Sequence, residues 1–90
     1  MIRAKINISG QVQGVFFRRS AKLEAEKLGI AGWAKNLDNG SVGVMAEGER
    51  QKVDEFIKWC ESGPPFAKVE KVEVEEQKGL EGFSDFSIHD

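Results

Sequence analysis

Two glycines four positions apart, Gly10 and Gly14, enclose Gln11-Val12-Gln13, and a pair of arginines, Arg18 and Arg19, follows closely. If this segment leads from a strand into a helix, its backbone N–H groups lack intrahelical partners and the helix macrodipole favours negative charge beside them. Such a turn is a ready anion site. Glycine at both ends lets the backbone curl so that successive amides form a nest for a phosphate or carboxylate. An arginine one turn into the helix leans back toward the N-terminus, where its guanidinium can grip two oxygens of one anion. One helical step separates Arg18 from Arg19 by about 100°, so one of them faces the loop, and spacing does not choose between them. The competing reading is an ordinary strand-to-helix connection with solvated arginines. No Lys-Ser or Lys-Thr follows Gly14, so a nucleotide-binding P-loop is not expected. Asn36 is the second candidate, because a carboxamide donates and accepts and so holds a water by two contacts. Its alternative is a turn residue ahead of Leu37-Asp38-Asn39-Gly40.

These groups need elements to position them. Ile2, Ala4, Ile6 and Ile8 alternate with Arg3, Lys5, Asn7 and Ser9, which predicts a half-buried first strand. After Gly14 the period changes: Phe17, Ala21, Ala25 and Leu28 form one stripe of a helix over about 16–28, stopped at Gly29. Extended segments at 30–36 and 41–47 flank Asp38-Asn39-Gly40, a strong hairpin signal. Val53, Phe56, Ile57 and Cys60 define a second helix over about 49–61, ended by Gly63-Pro64-Pro65. Val69, Val72 and Val74 mark a fourth strand, and Phe86 with Ile88 a short fifth after the Gly79–Gly82 turn. The order β-α-β-β-α-β predicts an α+β, ferredoxin-like (split βαβ) sandwich: one antiparallel sheet of four to five strands with two helices packed on one face. In that topology the third strand lies between the first and second, which run parallel to each other. Residues near Gly10 and Asn36 then face each other at one sheet edge, about 9–10 Å apart across two strand spacings. A small anion fits between them.

Composition narrows the field further. Ninety residues make a single domain, 1–90. Thirteen Lys plus Arg against fifteen Asp plus Glu give a net charge of −2, without the positive excess that a general nucleic-acid binder needs. The third strand, Ser41-Val42-Gly43-Val44-Met45-Ala46, lacks the aromatic run of an RNA-recognition module built on the same element order. One cysteine and one histidine make neither an internal disulfide nor a zinc site of the usual ligands, so no metal is expected. Cys60 belongs to the core stripe, and His89, next to the chain end, reads as a solvated, fraying residue. Glu70, Glu73, Glu75 and Glu76 read as a solvated edge that discourages strand pairing. No stretch is apolar enough for a membrane span and the start is charged, so a cytoplasmic location is expected.

Ile8-Ser9-Gly10-Gln11-Val12-Gln13-Gly14-Val15-Phe16-Phe17-Arg18, then Gly32-Trp33-Ala34-Lys35-Asn36, then Gly40-Ser41-Val42 with Gly48, together resemble the two signature segments of the acylphosphatase family. The likeness covers nearly the whole chain, in element order and in motif register. It implies hydrolysis of the mixed anhydride of a carboxylic acid and phosphate, with an acyl phosphate as small-molecule substrate and inorganic phosphate as product ligand. It implies that Gln11, Val12, Gln13, Gly14, Val15 and Phe16 cradle the phosphoryl group together with Arg18, and that Asn36 orients the attacking water. It also selects Arg18 over Arg19, because the family's arginine directly follows the two aromatic positions. Leu37 stands where the family often has Thr beside this Asn, so hydroxyl assistance at that position is not expected.

That chemistry asks little of the chain. An acyl phosphate expels a carboxylate whose conjugate acid has a pKa near 4, so the leaving group needs no protonation. An alkyl phosphate would call for a general acid, a metal or a covalent nucleophile, and the sequence offers no good candidate for these roles. No cofactor is expected. The other class that fits is a non-catalytic anion- or partner-binding module that keeps the cradle; a chain standing alone with both Arg18 and Asn36 favours the enzyme.

Overall fold

The computed structural model describes residues 1–89, Asp90 lying outside the description. The elements run β1 (Ile2–Gln11), α1 (Phe17–Leu28), β2 (Ala31–Asn36), β3 (Val42–Gly48), α2 (Arg50–Ser62), β4 (Lys68–Gln77) and β5 (Phe86–His89). This is the β-α-β-β-α-β order predicted from periodicity, with a fifth strand appended. The sheet order is β4-β1-β3-β2-β5, so β3 separates β1 from β2.

The sheet is mixed, which corrects the expectation of an antiparallel one: β5 pairs with β2 in parallel, from Gly32 opposite Phe86 to Lys35 opposite His89. The cause is topological. β4 finishes at the end of the sheet where β1 begins, since Gln77 pairs with Arg3. The following loop crosses that end, and β5 then runs back in the direction of β1 and β2. Its neighbour at the far edge is β2, so the pair is parallel.

Alternation along β1 buries Ala4, Ile6 and Ile8, and Val42, Val44 and Ala46 of β3 lie opposite them. Phe17, Ala21 and Ala25 of α1 and Val53, Phe56 and Cys60 of α2 close the same core, as their stripes predict. Leu28 and Ile57 are only partly covered. Phe17 meets Trp59 at 5.4 Å between ring centroids, which locks the two helices together. Phe86 is fully buried, with Phe56 at 6.0 Å edge-on, and this anchors β5 despite its four residues. The acidic residues of β4 lie on an exposed edge strand.

Candidate active site at three strand ends

β1, β2 and β5 all finish at one edge of the sheet. Ile8 and Asn36 both pair with Val42, so they share a rung with one residue between them. Side chains on one rung project to one face. Ile8 and Val42 point into the core beneath the helices, and the Asn36 carboxamide therefore projects toward the face that carries α1.

The polypeptide leaves this edge through an irregular β1. Between Ser9 and Gly10 the pairing with β4 shifts register, and Gly10 adopts a φ of 125°. A Cβ there would lie 2.2 Å from the Lys68 carbonyl oxygen, so only glycine allows the strand to approach β4 this closely and turn out of the sheet. Gln11 still belongs to β1, and the chain then curls through Val12–Phe16 into α1. Gly14 has a φ of 76°, and Phe16, the N-cap of α1, a φ of 65° with no side-chain capping bond. Among the described residues, no backbone carbonyl accepts from the amides of Gln13, Gly14, Val15 or Phe16.

An open cavity of about 250 Å³ lies against this loop, lined by Val12, Gly14, Phe16, Arg18, Arg19, Asn36 and Ile88. The structure thus brings together five of the residues singled out from the sequence: Val12, Gly14, Phe16, Arg18 and Asn36. Gln11, Gln13 and Val15 do not line it. Gln11 pairs with Lys68 on the strand, and Val15 packs against the core. The side-chain amide of Gln13 donates to the carbonyls of Leu37 and Ser41, both at 2.8 Å, and ties the loop to the hairpin that follows Asn36. Arg19 borders the cavity beside Arg18, so the helical step that separates them does not remove it from the rim.

The hairpin itself is closed by Leu37 N–H donating to the Ser41 carbonyl at 2.8 Å, with Gly40 at a φ of 92° as the left-handed residue of a three-residue loop. Asn39 accepts from the Ser41 amide and hydroxyl, so Asn39 is the side chain that builds this turn. The Leu37 side chain lies over Gly43 on the sheet's open face, away from the cavity.

Two further features have no signal in the sequence. The Arg18 Nη1 donates to the His89 carbonyl oxygen at 2.8 Å, so β5 braces the guanidinium. His89, expected to fray, is instead paired with Lys35 and stacked on Trp33 at 5.6 Å, with Nε2 3.0 Å from Ser87 Oγ. No local signal marks a strand's terminal carbonyl as a partner for a helix 71 positions away; only the parallel β2–β5 pairing brings it there. Among the described residues no three His, Cys, Asp or Glu side chains gather to hold a metal ion, and no helix is long and apolar enough to cross a membrane.

Comparison with known proteins gives a consistent picture. The family model described as Acylphosphatase matches residues 4–88. A protein named acylphosphatase from Rubrobacter xylanophilus is 49% identical over 86 residues, covering 96% of this chain and 78% of its own length. One of the same name from Thermococcus kodakarensis is 50% identical over 84 residues, covering 91% of this chain and 92% of its own. The crystal structure of acylphosphatase from Bacillus subtilis superposes with a TM-score of 0.96 at 42% identity, over 99% of each chain.

Proposed function

Because the chain belongs to the acylphosphatase family, and so is a hydrolase of acyl phosphates, we propose that its reaction runs in the cavity at the ends of β1, β2 and β5 without a metal ion or other cofactor. The phosphoryl oxygens sit on the backbone amides that the Val12–Phe16 turn presents to the cavity, with Gly14 and Phe16 on its wall, Arg18 supplies the opposing charge, and Asn36 holds the attacking water. That water's oxygen bonds to phosphorus while the bond from phosphorus to the acyl oxygen breaks. The electron pair leaves with the carboxylate, and the water's proton passes to phosphate or solvent. Because the departing carboxylate is stable unprotonated, positioning and fixed charge suffice, and these are what phosphoryl transfer chiefly asks of a protein.

One observation carries this reading: the amides of Gln13–Phe16, without backbone acceptors among the described residues, open a helix beside a cavity that Arg18 and Asn36 also line. Each aligned donor contributes about 2.7–4 kcal/mol by analogy with oxyanion-hole deletions, so three or four reach roughly 8–16 kcal/mol before non-additivity lowers the sum. That overlaps the lower range of enzymatic acceleration. A single domain over residues 1–90, working in the cytoplasm on small molecules rather than nucleic acid, completes the proposal; the net charge of −2 supports the last of these.

The test is hydrolysis of benzoyl phosphate by the purified protein in excess chelator. Sustained turnover supports the proposal; a rate at the buffer level, or one that collapses when chelator is added, contradicts it.

A further inference from the structure

Phe16 breaks three local preferences at once. Its φ of 65° and ψ of 23° lie in the left-handed region, and it is the only non-glycine with positive φ among the described residues. It occupies a helix N-cap, where Ser, Thr, Asp, Asn or Gly is favoured, and makes no capping bond. The residue is 69% exposed on the wall of the cavity. Strain of this kind persists where surrounding structure fixes it and tends to collect at ligand sites. Facing the same cavity is Ile88, 40% exposed on β5 and adjacent to the His89 whose carbonyl braces Arg18. Isolated exposed apolar side chains are ordinary; two on one small cavity that also presents two arginines and a carboxamide are not explained by packing.

An acyl phosphate has two unlike ends. Amides and Arg18 suit the phosphoryl end but offer nothing to the acyl end, which must lie toward the cavity's rim. We propose that Phe16 and Ile88 form an apolar lip that receives the acyl group, so that this protein favours acyl phosphates with aromatic or branched apolar acyl groups over small ones. This rests on the phosphoryl site proposed above. Phe16 then has two separable parts: an amide that serves the cradle and a ring that serves selectivity.

The experiment compares kcat/KM for benzoyl phosphate and acetyl phosphate in the parent, Phe16→Asn and Ile88→Thr, with inorganic phosphate as a competitive inhibitor of each. Asn accepts both the left-handed conformation and the N-cap position, so it removes the ring and keeps the backbone; Thr keeps the β-branching that suits a strand. The benzoyl-to-acetyl ratio is expected to fall about tenfold in Phe16→Asn and about threefold in Ile88→Thr, in line with the effect of altering an apolar pocket, while the phosphate inhibition constant holds in Ile88→Thr, whose residue lies outside the cradle. A ratio unchanged in both variants, with both substrates turned over, overturns the apolar lip alone. A ratio that falls only in step with weakened phosphate inhibition overturns it too, since the effect then belongs to the cradle. Failure of the parent to hydrolyse either substrate overturns the phosphoryl site and the lip together.

Discussion

The side-chain amide of Gln13 donates to the carbonyl oxygen of Leu37 at 2.8 Å, and so fastens the Val12–Phe16 loop to the residue immediately after Asn36. A second bond from the same nitrogen to Ser41 holds both sides of the hairpin neck. The two halves of the candidate site come from opposite sides of β3, and this one side chain bridges them.

Gln13→Ala is therefore expected to lower kcat on benzoyl phosphate about tenfold, from the loss of hydrogen bonds worth about 0.5–1.5 kcal/mol each. Gln13→Glu is expected to be worse, because a carboxylate then faces two carbonyl oxygens and has no proton to give either. The check is kcat for the two variants side by side. Equal rates would show that the tether does not set the geometry.

Arg18 and Asn36 are assigned different tasks, and their variants should differ in kind. Arg18→Gln removes a charge-assisted contact of about 1.5–3 kcal/mol, so substrate and inorganic phosphate should weaken together, by roughly 10- to 100-fold. Asn36→Ala should leave phosphate inhibition intact and cut kcat by about 10²-fold or more, the scale of losing one catalytic hydrogen-bonding group. Steady-state kinetics with phosphate as inhibitor separates the two patterns.

At the far end of the sheet, Glu47 of β3 is a buried carboxylate that accepts from three successive amides, Glu81 at 2.7 Å, Gly82 at 3.0 Å and Phe83 at 3.2 Å. Arg3 reinforces the same loop through Glu81 at 2.7 Å and the Lys78 carbonyl at 3.0 Å. This loop delivers β5 to its place beside β2. Glu47→Ala is expected to destabilise the fold by about 1–3 kcal/mol, the cost of leaving such donors unpaired, and urea unfolding of parent and variant measures it.

Cys60 is fully buried among α2's core residues, and burial pushes its thiol pKa up, with Glu61 adding a smaller contribution in the same direction. Both its access and its thiolate fraction are low. A thiol reagent at pH 8 should label the native protein slowly and the urea-unfolded protein at the rate of a free cysteine.

Much of this was legible in the sequence, and the gaps have physical causes. Helices and strands with one buried face leave a period that can be read directly, so the sequence alone places Phe17, Ala21 and Ala25, or Ile6 and Ile8, in the core. The loop and Asn36 followed from topology, because a split βαβ unit forces β1 and β2 to end together. β5 was legible as a strand but not in its direction, which depends on a loop crossing the sheet end and on the Glu47 clamp, neither of which has a periodic signal. The same gap hid the His89 carbonyl and Ile88. The tethering role of the Gln13 side chain is not legible, since bonds to partners 24 and 28 positions away leave no local trace. The left-handed Phe16 ran against propensity, which favours glycine or asparagine in that conformation.

The central claim is that the amides of the loop, with Arg18, form the phosphoryl cradle, and inorganic phosphate titrated into ¹⁵N-labelled protein tests it most directly. The amide resonances of Gln11–Phe16 should shift along a single saturable curve, persist in Asn36→Ala and weaken together in Arg18→Gln. Loop resonances that stay unmoved at saturating phosphate, or that respond identically in the parent and Arg18→Gln, would contradict it.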